Sequence, residues 1–103
     1  MPFKGRVIKI VASIPYGKVA SYSQVALLAG QPRAARQVGS ILNHLEYKLE
    51  IPWWRVVNNT GRISIKGSIY SPIDQKERLC IEGVSINEDL TFEIEKYRWN
   101  PNH

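Results

Sequence analysis

Apolar residues fall at Phe3, Val7, Ile8, Val11 and Ile14, a helical stripe that stops at Pro15 and Gly17 and leaves Lys4, Arg6 and Lys9 for solvent. A second, shorter helix begins at Ser21, three residues before Gln24. In this S-x-x-Q spacing the serine oxygen and the glutamine side chain satisfy each other's free amides, and the run Val25, Ala26, Leu27, Leu28 ends at Gly30. Pro32 suits the first turn of a third helix, whose buried face is Val38, Ile41, Leu42 and Leu45 at i, i+3, i+4 and i+7.

The other face of the third helix differs in kind. At about 100° per residue, Arg33, Arg36, Gln37 and Ser40 gather away from the apolar stripe, with Ala34, Ala35 and Gly39 keeping the flanks thin. Two short helices joined through a glycine turn, the second slim and basic outside, make a helix-turn-helix pattern whose outer face can enter a groove.

Further along, "WWRVV" and "RISIK" are rich in β-formers and separated by Asn58, Asn59, Thr60 and Gly61, which predicts a hairpin or a pair of short extended segments, a small wing. Ser71, Pro72 and Asp74 open a helix that stops at Gly83, and the tail from Val84 is mixed. The predicted fold is mainly α with a small β element, a winged helix-turn-helix-like DNA-binding domain. With 103 residues, 44% of them apolar, the chain is expected to form one domain over 1–103.

Charge adds a partner class. A net charge of +5 suits a protein that meets polyanions. No apolar run nears the roughly 18 residues a membrane span needs, and the lysines and arginine of the first helix interrupt any signal-peptide core, so a cytoplasmic, membrane-free location is expected. The single Cys80 excludes an internal disulfide, and His44 and His103 make no metal site at a familiar spacing; neither metal nor cofactor is expected.

The adjacent tryptophans of "IPWWRVV" pose a separate question. If residues 53–57 are extended, Trp53 and Trp54 point to opposite faces and cannot share one core. Either one indole is core and the other lies under the tail, or one is an aromatic wall for a planar ligand.

Four blocks, "IPYGKVASYSQVA", "AARQVG", "IPWWRVV" and "RLCIEGV", resemble in order and spacing the DNA-binding domain of O6-alkylguanine-DNA alkyltransferases. Catalytic members read Pro-Cys-His-Arg where this chain has "PWWR", the cysteine being the alkyl acceptor. The chain is therefore similar to the alkyltransferase-like branch, in which that cysteine is commonly tryptophan. An indole carries no ionisable sulfur, so Trp53 cannot accept an alkyl group. Cys80, near the C-terminal end of its helix, is read as a packed structural thiol.

The resemblance implies a lesion binder without chemistry. It implies that Tyr22 crowds the phosphate and promotes nucleotide rotation, and that Arg36 fills the vacated space in the duplex, a role suited to a planar guanidinium. Arg33, Gln37 and Ser40 would complete the DNA-binding face. Trp53 would line the lesion pocket, the carbonyls of Trp53 and Val56 would read the guanine edge, and Lys66 stands where relatives sense the altered guanine. Trp54 replaces a histidine that in the enzymes relays a proton to a glutamate matching Glu82, and Arg55 matches a structural arginine. The implied partners of this monomer are duplex DNA containing O6-alkylguanine and nucleotide excision repair proteins. Two other readings stand beside it: a sequence-reading helix-turn-helix regulator, and an active acceptor using Cys80.

Overall fold

The computed structural model describes residues 2–44, 51–63 and 71–101. Helix α1 (Phe3–Ala12) leads through a turn to the two-residue strand β1 (Ala20–Ser21), then α2 (Tyr22–Leu28) and α3 (Ala35–Asn43). A 3-10 turn (Trp53–Arg55) precedes β2 (Val56–Val57), followed by α4 (Pro72–Ile81) and the short α5 (Ile94–Tyr97). No helix among the described residues is long and apolar enough to cross a membrane.

The apolar stripes read from the sequence pack as two adjoining clusters. Val7, Val11 and Ile14 meet Val25, Ala26, Val38 and Leu42, binding α1, α2 and α3 into one unit. The second cluster joins Val19, Val57, Ile63 and Leu79 to Val84, Phe92 and Ile94, so the tail, which carried no readable period, supplies three of its seven buried residues. Leu45 of the predicted stripe lies outside the described residues.

The strands sit between these clusters. β1 and β2 pair in parallel, Ala20 opposite Val56 and Ser21 opposite Val57. Both valines are almost wholly buried, and "VV" takes β1 as a parallel partner inside the fold. The chain after β2 turns at Gly61 (φ +77°), whose carbonyl accepts from the Phe92 N–H, and Ile63 N–H donates to the Leu90 carbonyl. A β-carbon at Gly61 would run into the Phe92 carbonyl oxygen, so both the positive φ and the close approach demand glycine there. The rest of "RISIK", with Lys66, lies outside the described residues.

Two local readings need correction. Ser21 does cap α2, its Oγ accepting from Gln24 N–H at 3.0 Å, but the Gln24 side chain does not reach back: its Nε2 donates to the Trp99 carbonyl at 2.7 Å. The tail captures the group that a local capping box would have used. Helix α3 begins at Ala35, not at Pro32, because the Ala34 N–H closes a turn onto the Gln31 carbonyl at 2.9 Å and Ala34 itself is buried. At α4 the expected cap is complete: Ser71 Oγ accepts from Asp74 N–H, and the Asp74 carboxylate accepts from Ser71 N–H.

Candidate nucleic-acid interface

The α2–turn–α3 unit presents its start and its outer face to one open cavity of about 580 Å³. Tyr22 enters from the first turn of α2, Arg36 and Ser40 from α3, and Asn58 and Asn59 from the loop after β2. The Tyr22 ring lies over Gly39; a β-carbon there would sit 3.9 Å from two ring atoms, so the missing side chain leaves the ring and the groove unobstructed. Burial pushes the Tyr22 phenol up from its ordinary value, keeping it neutral and free of charge repulsion toward a phosphate.

The predicted binding face is split by the late start of α3. Arg33 is in the turn, and with Gln37 it borders a second depression of about 320 Å³ beside Gln31 and Pro32, whereas Arg36 and Ser40 line the main cavity. Arg33, Arg36, Gln37 and Ser40 are all exposed. Sequence reasoning missed Asn43 and His44, which border the main cavity and continue the Arg36–Ser40 face at the next helical turn; that spacing was available as a signal. Asn59 had none, since its place depends on the β1–β2 pairing.

The tryptophans lie in a 3-10 turn, not in the extended segment expected, and Trp53 is the core indole. In the 3-10 turn they stand at right angles, with ring centroids 5.9 Å apart. Trp53 is 6% exposed. Its carbonyl accepts from Val56 N–H, and the Val56 carbonyl accepts from the buried Gln75 Nε2 at 2.9 Å. The Arg78 guanidinium lies over both rings, 5.6 Å from the Trp53 centroid and 4.9 Å from that of Trp54.

Trp54 is bonded to the expected glutamate. Its Nε1–H donates to Glu82 Oε2 at 2.8 Å, so the indole makes a permanent hydrogen bond where a relay histidine would titrate. Arg55 donates through Nη2 to the same oxygen at 2.8 Å, through Nε to Oε1 at 2.9 Å, and through Nη1 to the Ile14 carbonyl at 2.7 Å. Gly17 N–H adds a bond to Oε1 at 2.9 Å. Burial pushes the Glu82 carboxyl up, but the bonds from Arg55, Gly17 and Trp54 outweigh it and hold the group below its usual range. The cluster ties the end of α1, the 3-10 turn and the end of α4 together.

Cys80 departs from expectation: it is exposed, not packed. On α4 the inward positions are Gln75 and Leu79, and the residue after Leu79 turns outward by the helical period. It does not line the cavity of Tyr22 and Arg36.

The model of the 6-O-methylguanine DNA methyltransferase DNA-binding domain matches residues 2–84. The chain belongs to this family. Within it, the chain is an alkyltransferase-like member. It is 46% identical to the DNA base-flipping protein of Escherichia coli K12, over 95% of this chain and 74% of that protein. Alkyltransferase-like protein 1 of Schizosaccharomyces pombe is 38% identical, and the crystal structure of that protein with damaged DNA containing O6-carboxymethylguanine superposes with a TM-score of 0.89, covering 96% of this chain and 95% of that one. Against Mycobacterium tuberculosis O6-methylguanine methyltransferase the TM-score is 0.63 at 32% identity, covering 80% of this chain but 48% of the enzyme. The mainly helical architecture, with a small two-strand sheet among the described residues, thus matches the Schizosaccharomyces pombe structure.

Proposed function

We propose that this protein is a non-enzymatic sensor that binds O6-alkylguanine in duplex DNA from the minor groove, rotates the damaged nucleotide out of the stack, and marks it for nucleotide excision repair. The observation that carries the reading is the shared cavity of Tyr22 and Arg36, on a helix thinned by Gly39; Trp53 is taken to stand at the alkyl-acceptor position. An alkylated O6 inside the duplex can be inspected closely only on an extruded nucleotide, and extrusion needs a group to crowd the backbone and another to fill the gap. Tyr22 and Arg36 are of the right chemistry for these two tasks, with Arg33, Gln37 and Ser40 holding the flanking backbone.

Trp53, Val56 and Lys66 are the residues proposed to meet the extruded base. Trp53 is 6% exposed and does not line the Tyr22–Arg36 cavity, so its indole would wall an adjoining lesion pocket, apolar and tolerant of alkyl groups of different size. No thiolate stands at that position, and the exposed Cys80 belongs to another face, so recognition proceeds without transfer.

The test is a titration of matched duplexes with and without O6-methylguanine, alongside mass measurement of the protein after incubation. Tighter binding of the damaged duplex with no mass gain is expected. Equal affinities would overturn the sensor reading, and a stoichiometric gain of one methyl group would overturn its non-enzymatic part. The repair step predicts that loss of this protein adds no alkylation sensitivity to cells already lacking nucleotide excision repair.

A further inference from the structure

The family match ends at residue 84, yet the segment that follows returns to the cavity. Val19 N–H donates to the Tyr97 carbonyl at 2.9 Å and Trp99 N–H donates to the Val19 carbonyl at 2.7 Å, so residues 97–99 lie as a short parallel strap along the residue preceding β1. From this strap the Trp99 carbonyl accepts from Gln24 Nε2. Arg98 spreads its guanidinium over three partners: Nη1 to Gln24 Oε1 at 3.4 Å, Nη2 to Asn59 Oδ1 at 3.2 Å, and Nε with Nη2 to Glu95 Oε1 at 3.0 and 2.6 Å.

These partners belong to two elements that border the site. Gln24 is in the first turn of α2, two residues after Tyr22, and Asn59 is in the loop after β2, which lines the same cavity. No other described side chain bonds both. The planar fork of arginine can hold two acceptors and a carboxylate at once; a lysine ammonium on a flexible stem does not fix such a geometry.

We infer that Arg98 is a positioning residue for the nucleic-acid cavity: with the Tyr97–Trp99 strap it sets the separation between the Tyr22 turn and the Asn59 wall, and so the shape offered to an extruded nucleotide. This rests on the sensor reading of the same cavity. Glu95 already neutralises much of the Arg98 charge, so its contribution is geometric, not a phosphate contact.

The experiment compares the full chain with Arg98→Ala and Arg98→Lys by titration with O6-methylguanine and unmodified duplexes, together with amide hydrogen exchange in the absence of DNA. Arg98→Ala is expected to weaken binding of the damaged duplex by about fivefold, within the range by which a coupled residue outside a site alters affinity. The unmodified duplex should lose less, and exchange should quicken at Gln24, Thr60 and Gly61 but not in α4. Arg98→Lys keeps the charge and should restore little. Full rescue by lysine would overturn the inference in favour of charge alone, as would unchanged damaged-duplex binding by Arg98→Ala when the parent protein discriminates. A parent protein that binds both duplexes equally would instead overturn the sensor reading, and the exchange pattern would still decide whether Arg98 holds the two walls. Should Arg98→Ala fail to fold, Gln24→Met removes the same hold on α2 while leaving the Ser21 cap, which uses the Gln24 backbone, and carries the same expectation for binding and exchange.

Discussion

The Trp54–Arg55–Glu82 cluster and the Tyr22–Arg36 cavity are both polar and both lie within the family match, but their polar atoms are used differently. In the cluster the three guanidinium nitrogens of Arg55, the indole N–H of Trp54 and both Glu82 oxygens are engaged, and the Arg55 and Glu82 side chains are only 13% and 5% exposed. In the cavity Arg36 is exposed, and no side-chain bond holds it among the described residues. A saturated cluster has spent its interactions on folding. An open one keeps them for a ligand, so substitutions in the two places should separate stability from binding.

Glu82→Ala should do the greatest harm, because it strands the Arg55 guanidinium among buried groups. Breaking a fully buried pair by removing one partner costs about 3–5 kcal/mol; Arg55 and Glu82 are partly buried, so urea unfolding should show a loss near the lower end of that range. A loss no larger than that of an exposed pair would break the contrast by showing that the cluster does not anchor the fold.

Arg36→Ala is the mirror case. Damaged-duplex affinity should fall by roughly tenfold or more, the range of an interface hot spot, while the unfolding free energy stays within about 0.5 kcal/mol of the parent's, as for other exposed positions. A stability loss comparable to the binding loss would show that Arg36 is structural after all.

Trp54→Phe tests what the indole N–H contributes to the saturated cluster. Removing one donor to Glu82 should cost about 1 kcal/mol near neutral pH. The pH dependence has a definite sign: the Glu82 carboxyl is depressed in the folded protein, so its contribution is present above the unfolded carboxyl value and disappears as pH falls through the folded one. Without the indole bond the folded value rises, and acid unfolding should begin at a higher pH. An acid transition unmoved by the substitution would mean that Arg55 and Gly17 alone hold the carboxylate.

Much of this contrast is legible in the residues. The α1 and α3 stripes, the Ser71 cap and the slim face around Arg36 depend on neighbours three or four positions apart, and such local periods survive folding. The tryptophan geometry is not of that kind: a 3-10 turn replaces an extended segment because Trp53, Trp54 and Arg55 must reach Arg78, Glu82 and Ile14, all distant in sequence. The same holds for Gln24, whose local partner loses to Trp99, and for Asn59, set on the cavity wall by a parallel pairing across thirty-odd residues. Cys80 was misjudged because its residue type favours burial while its helical phase, counted from Leu79, faces out.

The smallest effect expected, at Gly39, separates the two regions most sharply. Glycine inside a helix costs up to about 1 kcal/mol relative to alanine, and the new methyl of Gly39→Ala would meet the Tyr22 ring only at ordinary contact distance, 3.9 Å. The variant should therefore unfold at a slightly higher urea concentration, by about 0.5–1 kcal/mol. The same methyl thickens the helix face between Arg36 and Ser40, the face proposed to meet the DNA backbone, so damaged-duplex binding should weaken as stability rises. Opposite signs in the two measurements would place Gly39 with the open cavity, as a residue kept small for the ligand at the expense of the helix. A gain in stability with unaltered binding would mean that the DNA does not come close to α3 at this turn, and that Gly39 serves only to seat Tyr22.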